Sequence, residues 1–409
     1  MRSLRVSILN WTGDRQNWGC QATSQGLLED LRDAVGPDQE LCLHLVPLGH
    51  KTFGDRVAEM IFRRFIADYI AAQATSVVAD WWFLWLNRLI HGSHVARVAQ
   101  ADVVLFMAEG TMNGQSFFRN HRLLMLPVLA AKRFAKPVLS LNQTLYTTDP
   151  EFRSIIRTAY SHFELVAVRE PASLSFAREI GLPQALLFPD SAFRARSNGR
   201  PLRELVTGPV TAPLVCLTGS GDCPVKESAQ HFQIVMEFAR TNGVQVCGLL
   251  WRQKEIDTLR QIARAAGGQP LLFPAPGLAY EDVSALLAQS ACLVGGRYHS
   301  AIQAAAVATP FVVLPSGSHK TQGLLKLLDY PLRERAFDDA AGIQTDLIDV
   351  LRRRDVYAAH LASRMDEVRR LRSRGIALVA RLIAAASSGK MLSDVLASAP
   401  EAEILRGKA

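Results

Sequence analysis

The sequence predicts an α/β protein with two Rossmann-like domains that face a cleft, followed by a helical C-terminal tail. Apolar strand-like runs alternate with helical segments along most of the 409 residues, and polar residues stand where the runs end. One polar stretch with Gly and Pro, 194–213, is long enough to join two domains. We therefore assign 1–200 to an N-terminal domain, 201–345 to a C-terminal domain and 346–409 to the tail.

The N-terminal domain begins with a predicted strand at 5–10 and a helix at 20–34, joined by the loop WTGDRQNWG. The start of such a helix presents free backbone N–H groups, so Asn17 and Gly19 are candidates for contact with an anion or a sugar. Asn17 has an equally good explanation as a turn or cap residue. The loop lacks the GxGxxG pattern, which disfavours a dinucleotide site.

A helical insertion is predicted at 55–100, after a second strand at 40–48. Its segment 77–90, VVADWWFLWLNRLI, is rich in aromatic residues but too short to span a membrane, and Asp80 and Arg88 interrupt it. Two interpretations stay open: a helix buried in the core or in a homo-oligomer interface, and a helix lying on a membrane surface.

Strands and helices alternate regularly after the insertion. The predicted strands are 102–107, 137–142, 164–168 and 185–188, and the intervening helices are 121–135, 150–161 and 171–180. Glu109, Arg169 and Asp190 come at the ends of three of these strands. In an open parallel sheet, ligands bind at that edge.

The C-terminal domain repeats this pattern. Its predicted strands lie at 214–220, 244–251 and 271, followed by the segment 291–323, and its helices lie at 226–241, 254–266 and 280–289. In 291–323, Arg297 and His299 follow a Gly-Gly turn at a strand end, and His319 and Lys320 lie in a basic loop after the next strand. We expect these four cationic or titratable groups to converge on one sheet edge.

Composition narrows the classes of function. The net charge of +8 suits an anionic substrate, a membrane surface or nucleic acid, but no nucleic-acid-binding motif accompanies it, and much of the excess lies in 352–381. The six cysteines form no CxxC pair and are interpreted as reduced core thiols. No signal peptide is recognisable, so a cytoplasmic protein is expected, peripheral to the inner face of the membrane if 77–90 contacts lipid.

The sequence resembles the polysaccharide pyruvyl transferases over most of its length. The resemblance rests on NWTGDRQNWGCQA, VAVREPASLSFAREIGL, LFPDSAF and GGRYHSAIQAAAVATPFVVLPSGSHKTQGLL. The family pattern falls in order on Asn17 and Gly19, Arg169 with Glu170 and Ser173, Pro189 and Asp190, Arg297 and His299, and Lys320. There is one departure: Ala108-Glu109-Gly110-Thr111 stands where many members have a glycine-rich turn.

The resemblance implies a fold similar to the GT-B glycosyltransferases and transfer of pyruvate from phosphoenolpyruvate to two sugar hydroxyls as a ketal. It implies an exopolysaccharide or lipid-linked glycan acceptor on the side of the N-terminal domain, phosphoenolpyruvate on the side of the C-terminal domain, and no separate cofactor.

Phosphoenolpyruvate carries a carboxylate and a phosphate, so its site needs fixed positive charge. Arg169 and Arg297 are candidates to clamp it across the cleft, unless each pairs with a neighbouring carboxylate instead. His319 and Lys320 either close over the phosphate or remain solvated loop charges. No metal-ligand grouping or DxD motif occurs.

Ketal formation needs a general acid and a general base. His299 is the candidate acid, since histidine can hold either protonation state near neutral pH, although it could instead cap the helix that follows. Asp190 and Glu109 are candidate bases or acceptors of sugar hydroxyls, or else helix or loop caps. Two rival functions remain: a metal-independent glycosyltransferase that uses a nucleotide sugar, and a non-catalytic glycan-binding protein.

Overall fold

The computed structural model describes residues 3–48, 53–113, 117–221, 223–268 and 270–407. It contains two parallel sheets flanked by helices, with further helices at the C-terminus, and this confirms the predicted fold class. The chain divides into two compact units. The first comprises Met1–Thr12, Leu28–Asp190 and Leu371–Ala409, and the second comprises Gly13–Leu27 and Ser191–Arg370.

The first unit contains a six-stranded sheet in the order β2-β1-β3-β4-β5-β6, with every neighbouring pair parallel. Its strands are β1 Leu4–Leu9, β2 Leu41–Val46, β3 Val103–Met112, β4 Val138–Leu145, β5 Leu165–Val168 and β6 Leu186–Leu187. The strand order reverses between β1 and β3. A parallel sheet is covered on both faces, and β4 is accordingly buried at every position.

In the described residues between β1 and β6, the helices are α1 Trp18–Val35, α2 Phe53–Ala71, α3 Val77–His91, α4 His94–Gln100, α5 Phe117–Lys132, α6 Pro150–Ser161 and α7 Pro171–Glu179. The start of α6 shows why the chain turns into a helix there. Pro150 occupies the first turn, where no backbone donor is needed, and the Asp149 carboxylate accepts from the N–H groups of Glu151 and Phe152.

The second unit contains a five-stranded parallel sheet in the order β11-β10-β7-β8-β9. Its strands are β7 Leu214–Ser220, β8 Gln245–Gly248, β9 Leu271–Leu272, β10 Cys292–Gly296 and β11 Phe311–Val313. Its helices are α8 Leu202–Leu205, α9 Val225–Asn242, α10 Gln253–Ala265, α11 Tyr280–Ala288, α12 Tyr298–Ala306, α13 Lys320–Leu327 and α14 Ala340–Arg352, preceded by a 3-10 turn at Ser191–Arg194. Here the strand order reverses between β7 and β10.

The last described part of the chain contains α15 Arg354–Ser387, α16 Leu392–Ser398 and α17 Pro400–Arg406. The end of α15 belongs to the first unit, where Gly375 lies against the ring of Phe188. A Cβ atom on Gly375 would come within 2.6 Å of that ring, so only glycine allows the helix to approach so closely.

The aromatic segment of the insertion forms α3, which has two different faces. Phe83, Leu86 and Ile90 are buried against the core, and Phe83 stacks on Tyr69 of α2 with ring centroids 3.7 Å apart. The opposite face, which includes Trp81 and Trp85, is exposed. Within the described residues, no helix combines the length and apolarity needed to cross a membrane.

The cysteines only partly follow their predicted environment. All six are free thiols, and Cys20, Cys216, Cys247 and Cys292 are buried. Cys42, by contrast, is exposed on β2. Its neighbours on this edge strand are only half-buried, because β2 has a partner strand on one side alone.

Candidate functional site

Gly295 and Gly296 lie at the end of β10, where the strand order of the second sheet reverses between β7 and β10. Gly295 has φ 144°, and a Cβ atom there would overlap the hydroxyl of Thr218 on β7. A Cβ atom on Gly296 would lie 2.5 Å from the carbonyl oxygen of Pro315. Glycine at both positions therefore allows the end of β10 to pack closely between its neighbours.

A buried histidine of α9 also contacts Thr218, the residue against which Gly295 packs. His231 is fully buried, and its Nε2 donates to the carbonyl of Thr218 at 2.8 Å. Burial lowers the pKa of His231 to about 4, so the ring is neutral at physiological pH. In the neutral ring the proton lies on Nε2, because that atom donates to the carbonyl.

Arg297 follows Gly296 and occupies the N-cap position of α12. It is buried, and its Nη2 donates to Glu255 Oε2 at 2.5 Å. Its guanidinium carbon lies 3.4 Å from the centroid of the Trp251 ring. An ion pair and a cation–π contact thus fix the orientation of this arginine at the carboxyl edge of the sheet.

A second tryptophan, Trp18, packs against Trp251 and so helps to hold Arg297 in place. The ring of Trp18, at the start of α1, meets Trp251 edge-on at 6.3 Å, and its Nε1 donates to the carbonyl of Leu278 at 2.9 Å. Sequence reasoning missed both tryptophans and Glu255. Trp251 does follow β8, so its position just beyond a strand end was a signal that could have identified it.

His299 lies in the first turn of α12, half-buried and against Gly19 of α1. A Cβ atom on Gly19 would overlap Cβ of His299 and lie 2.8 Å from its Cγ, so the glycine makes room for the histidine. Asn17 caps α1, because its Oδ1 accepts the Gly19 N–H at 3.0 Å and its carbonyl accepts from Gln21. The cap interpretation of Asn17 therefore matches the contacts, and Gly19 serves close packing.

His319 and Lys320 lie at the beginning of a helix, and not in the open loop that the sequence suggested. His319 is the N-cap residue of α13, and Lys320 is its first residue, with 7% of its surface exposed. The difference arises because the residues that follow, TQGLLKL, bury an apolar face and continue the helix.

This edge of the second unit is suited to binding an anion. β10 and β11 are adjacent parallel strands, and each leads into a helix, α12 or α13. The N-termini of these helices carry partial positive charge and backbone N–H donors. Arg297, His299 and Lys320 stand in the first turns or at the caps of the two helices.

The first unit has a cluster of backbone conformations that side chains rarely adopt. Asn10, Glu109 and Asn142 all have positive φ, at 61°, 50° and 53°. They belong to β1, β3 and β4 or directly follow them, and these strands are neighbours in the sheet. All three residues are buried. Such strain costs about 1–3 kcal/mol per residue and concentrates at functional sites.

Glu109 lies within β3 and not beyond its end, because the strand continues to Met112 with an irregular register after Glu109. The Thr12 hydroxyl donates to Glu109 Oε1 at 2.5 Å, and Asn10 Nδ2 donates to the carbonyl of Met107 at 2.6 Å. Glu109 thus stands at the point where the strand order reverses between β1 and β3, which is where open α/β sheets bind ligands.

Arg169 and Asp190 contact each other directly. Arg169, at the end of β5, has 1% of its side chain exposed, and its Nη1 donates to Asp190 Oδ2 at 2.7 Å. Its Nε donates to Thr144 Oγ1 at 3.1 Å and lies 3.5 Å from Glu170 Oε2. Pairing with neighbouring carboxylates, the alternative interpretation of Arg169, is therefore observed. The Ser173 hydroxyl donates in turn to Glu170.

Arg372, a residue that sequence reasoning missed, fixes the Pro189-Asp190 turn. Its Nη1 donates to the carbonyls of Pro189 and Asp190, both at 2.6 Å, and its Nη2 reaches both carboxylate oxygens of Asp30 at 2.5 Å. It is buried although it belongs to a helix dense in exposed arginines. Nothing in the sequence distinguishes it from those neighbours.

The predicted site residues therefore fall into two groups. Arg297, His299, His319, Lys320, Asn17 and Gly19 belong to the second unit, and Glu109, Arg169 and Asp190 belong to the first. Among the described residues, no set of three or more His, Cys, Asp or Glu side chains is placed to hold a metal ion.

Comparison with known proteins gives a family and a fold. The family model for polysaccharide pyruvyl transferase matches residues 17–318. No curated protein matches the sequence.

Three solved structures illustrate the fold. A Listeria monocytogenes protein assigned as a UDP-N-acetylglucosamine 2-epimerase is similar with 12% identity over 95% of this chain and 96% of its own, and a TM-score of 0.58. An alpha,alpha-trehalose 6-phosphate synthase from Burkholderia multivorans is similar with 13% identity over 95% and 98%, and a TM-score of 0.57. An S. aureus protein in complex with UDP is similar with 11% identity over 89% and 91%, and a TM-score of 0.54. At these identities the likeness establishes the fold alone, which is that of GT-B glycosyltransferases and related epimerases.

Proposed function

Because the chain belongs to the polysaccharide pyruvyl transferase family, we propose that it transfers pyruvate from phosphoenolpyruvate to two hydroxyls of a sugar. The product is a cyclic ketal on a polysaccharide or on a lipid-linked precursor of one. The observation that best supports this proposal is the grouping of Arg297, His299 and Lys320 at two helix N-termini on adjacent strands.

The negative charge of phosphoenolpyruvate is complementary to the positive groups at this edge of the second unit. Phosphoenolpyruvate has two anionic groups, and the edge offers one oriented guanidinium, one ammonium and two helix N-termini. In this proposal Arg297 binds one anionic group in the plane set by Trp251 and Glu255. Lys320 adds a point charge for the other.

The chemistry assigns a role to His299. A proton added to the methylene carbon of phosphoenolpyruvate leaves a cation at the carbon that bears the phosphate. One sugar hydroxyl attacks that carbon, phosphate departs, and a second hydroxyl closes the ketal. The two hydroxyls release two protons in all. One replaces the proton that was added to the methylene carbon, and the other leaves on the phosphate. His299 is the proposed acid, because imidazole can be protonated near neutral pH.

The acceptor side is proposed for the first unit. The Glu109 carboxylate lies within β3 at the point where the strand order reverses and stands in place of the glycine-rich turn of many family members, so we propose that it accepts a sugar hydroxyl and restricts which sugar binds. We propose a supporting role for the Arg169–Asp190 pair, because Arg169 donates from Nη1 to Asp190 and from Nε to Thr144 inside the protein.

A nucleotide-sugar transferase is the second candidate. It is favoured by the shared fold, since the S. aureus protein of that fold is in complex with UDP. A non-catalytic glycan-binding protein is the third. The retained grouping of Arg297, His299 and Lys320 speaks for an enzyme, because binding a neutral glycan would not require it.

A ligand-dependent thermal shift separates these candidates. We expect phosphoenolpyruvate to raise the Tm of the wild type, since a ligand that binds only the folded state stabilises it. Arg297→Lys keeps the charge but loses the planar fork, and should abolish the shift. The matched control is Arg370→Ala, because Arg370 also pairs with a glutamate but is exposed; its shift should equal that of the wild type.

The outcomes are distinct. Stabilisation by UDP-sugars alone would indicate a glycosyltransferase. Binding of glycans without response to either donor would indicate a binding protein.

We also infer that the enzyme works in the cytoplasm. Cys216 and Cys247 lie opposite each other on paired strands, and both remain thiols. Neighbouring cysteines stay reduced in a reducing compartment.

A further inference from the structure

The exposed face of α3 is unusually apolar for a protein surface. Its large hydrophobic side chains recur every three or four residues, so they share one side of the helix. They are Val77, Val78, Trp81, Trp82, Trp85 and Leu89. Trp81 is 59% exposed and Leu89 is 55% exposed. Surface patches of this kind mark contact sites.

Contacts among the tryptophans make this face continuous. The rings of Trp81 and Trp82 meet edge-on at 5.1 Å, and those of Trp82 and Trp85 do so at 5.6 Å. Trp85 also meets Phe62 of α2 edge-on at 6.0 Å, which fixes this part of the face to the body of the first unit. The three tryptophan rings therefore pack together into one continuous apolar surface.

The exposed charged side chain of α3 is basic. Arg88 is exposed beside Leu89, whereas the acid of this helix, Asp80, is half-buried and accepts hydrogen bonds from Tyr69 and Thr75. An apolar, tryptophan-rich helix face with an exposed arginine is complementary to a surface with an apolar interior and negative head groups.

We propose that the exposed face of α3 docks the protein on an anionic phospholipid bilayer. The 15-residue helix is about 22 Å long and would lie in the plane of the interface, with its tryptophans at the level of the head groups. A second copy of the chain is the less favourable occupant. A helix face about 22 Å long and about 10 Å wide would bury only about 220 Å² on each copy, far below the roughly 800 Å² per partner of a stable interface. This inference goes beyond the proposed function, since docking does not depend on which group is transferred.

Co-sedimentation with vesicles tests the proposal. The full-length protein is mixed with vesicles of phosphatidylglycerol and phosphatidylcholine, or of phosphatidylcholine alone. We expect the protein to bind the anionic vesicles, with tryptophan emission shifting to shorter wavelength. Trp81→Ala/Leu89→Ala should abolish this binding. The matched control, Val356→Ala/Met391→Ala, removes exposed apolar side chains elsewhere and should bind as the wild type does.

Charge reversal gives a second readout. Arg88→Glu changes the local charge by two, and each charge near an anionic surface contributes about 1 kcal/mol, so binding should weaken about thirtyfold. Equal binding to neutral and anionic vesicles, or no binding at all, would overturn the proposal. So would a dimer in light scattering that Trp81→Ala/Leu89→Ala converts to a monomer, because the face would then be an interface between copies. Unchanged urea denaturation of the variants shows that each remains folded.

Discussion

The substitution Gly19→Ala directly tests the position of His299. In an ordinary helix this change would stabilise by about 1 kcal/mol, because alanine has the higher helix propensity. Here the new Cβ atom would overlap Cβ of His299 and lie 2.8 Å from its Cγ and 2.9 Å from its Nδ1. Carbon atoms in contact normally stay about 4 Å apart, so the imidazole must move by roughly 1 Å or more. Overpacking of this kind costs about 1–3 kcal/mol.

Activity should fall much more than stability. A displacement of about 1 Å in a catalytic group can reduce the rate about a hundredfold, so we expect kcat/KM for pyruvyl transfer to fall by that order. Phosphate release measures the rate, and urea denaturation measures the free energy of unfolding. Gly221→Ala is the matched control, because a Cβ atom there meets no atom within 4 Å, and it should leave both quantities unchanged. Full activity of Gly19→Ala would refute the assignment of His299 as the acid.

Three further predictions concern groups that support the two sheet edges. Arg372→Ala should lower the free energy of unfolding by about 3–5 kcal/mol, because the buried Asp30 carboxylate loses its ion pair with Arg372. Arg370→Ala removes an exposed pair and should have a much smaller effect in the same denaturation experiment; equal effects of the two substitutions would contradict the distinction. Glu255→Gln should lower the free energy of unfolding by about 2 kcal/mol, since the hydrogen bond to Arg297 loses its charged acceptor. If the midpoint of urea denaturation equals that of the wild type, the pair contributes nothing to stability. His231 has a folded pKa of about 4, below its unfolded value, so the unfolded state binds more protons between pH 6.5 and 4 and stability is lost as the pH falls through that window. At pH 4.5 the loss is about 2.5 kcal/mol. His231→Gln should lack this part of the pH dependence, whereas parallel curves for the variant and the wild type would contradict the assignment.

Much of the fold could be predicted because it depends on local patterns. Apolar runs bounded by turn residues identified the strands, and a proline after Asp149 marked the start of a helix. The sequence also predicts that the polar residues after the strands lie at one edge of the sheet, since all strands of a parallel sheet end on the same side. Arg297 and His299 were located in this way, from their place after Gly295 and Gly296.

The partners of these residues could not be predicted, because they come from distant parts of the chain. Glu255 reaches Arg297 from the helix after another strand, and Arg372 reaches the turn at Asp190 from the C-terminal helix. The extended β3 was also missed. Glu109 has φ 50°, a conformation that periodicity cannot indicate for a glutamate, and the strand continues beyond it.

Detection of the product tests the central claim most directly. The protein is incubated in D2O with phosphoenolpyruvate, nucleotide sugars and a panel of glycan acceptors, and the products are analysed by mass spectrometry and by phosphate release. We predict an acceptor that carries a pyruvate ketal with one solvent deuterium in its methyl group, together with an equal amount of phosphate. Arg297→Lys and His299→Gln should form almost none of it. A glycosylated acceptor made from a nucleotide sugar, with phosphoenolpyruvate left unconsumed, would contradict the proposed function.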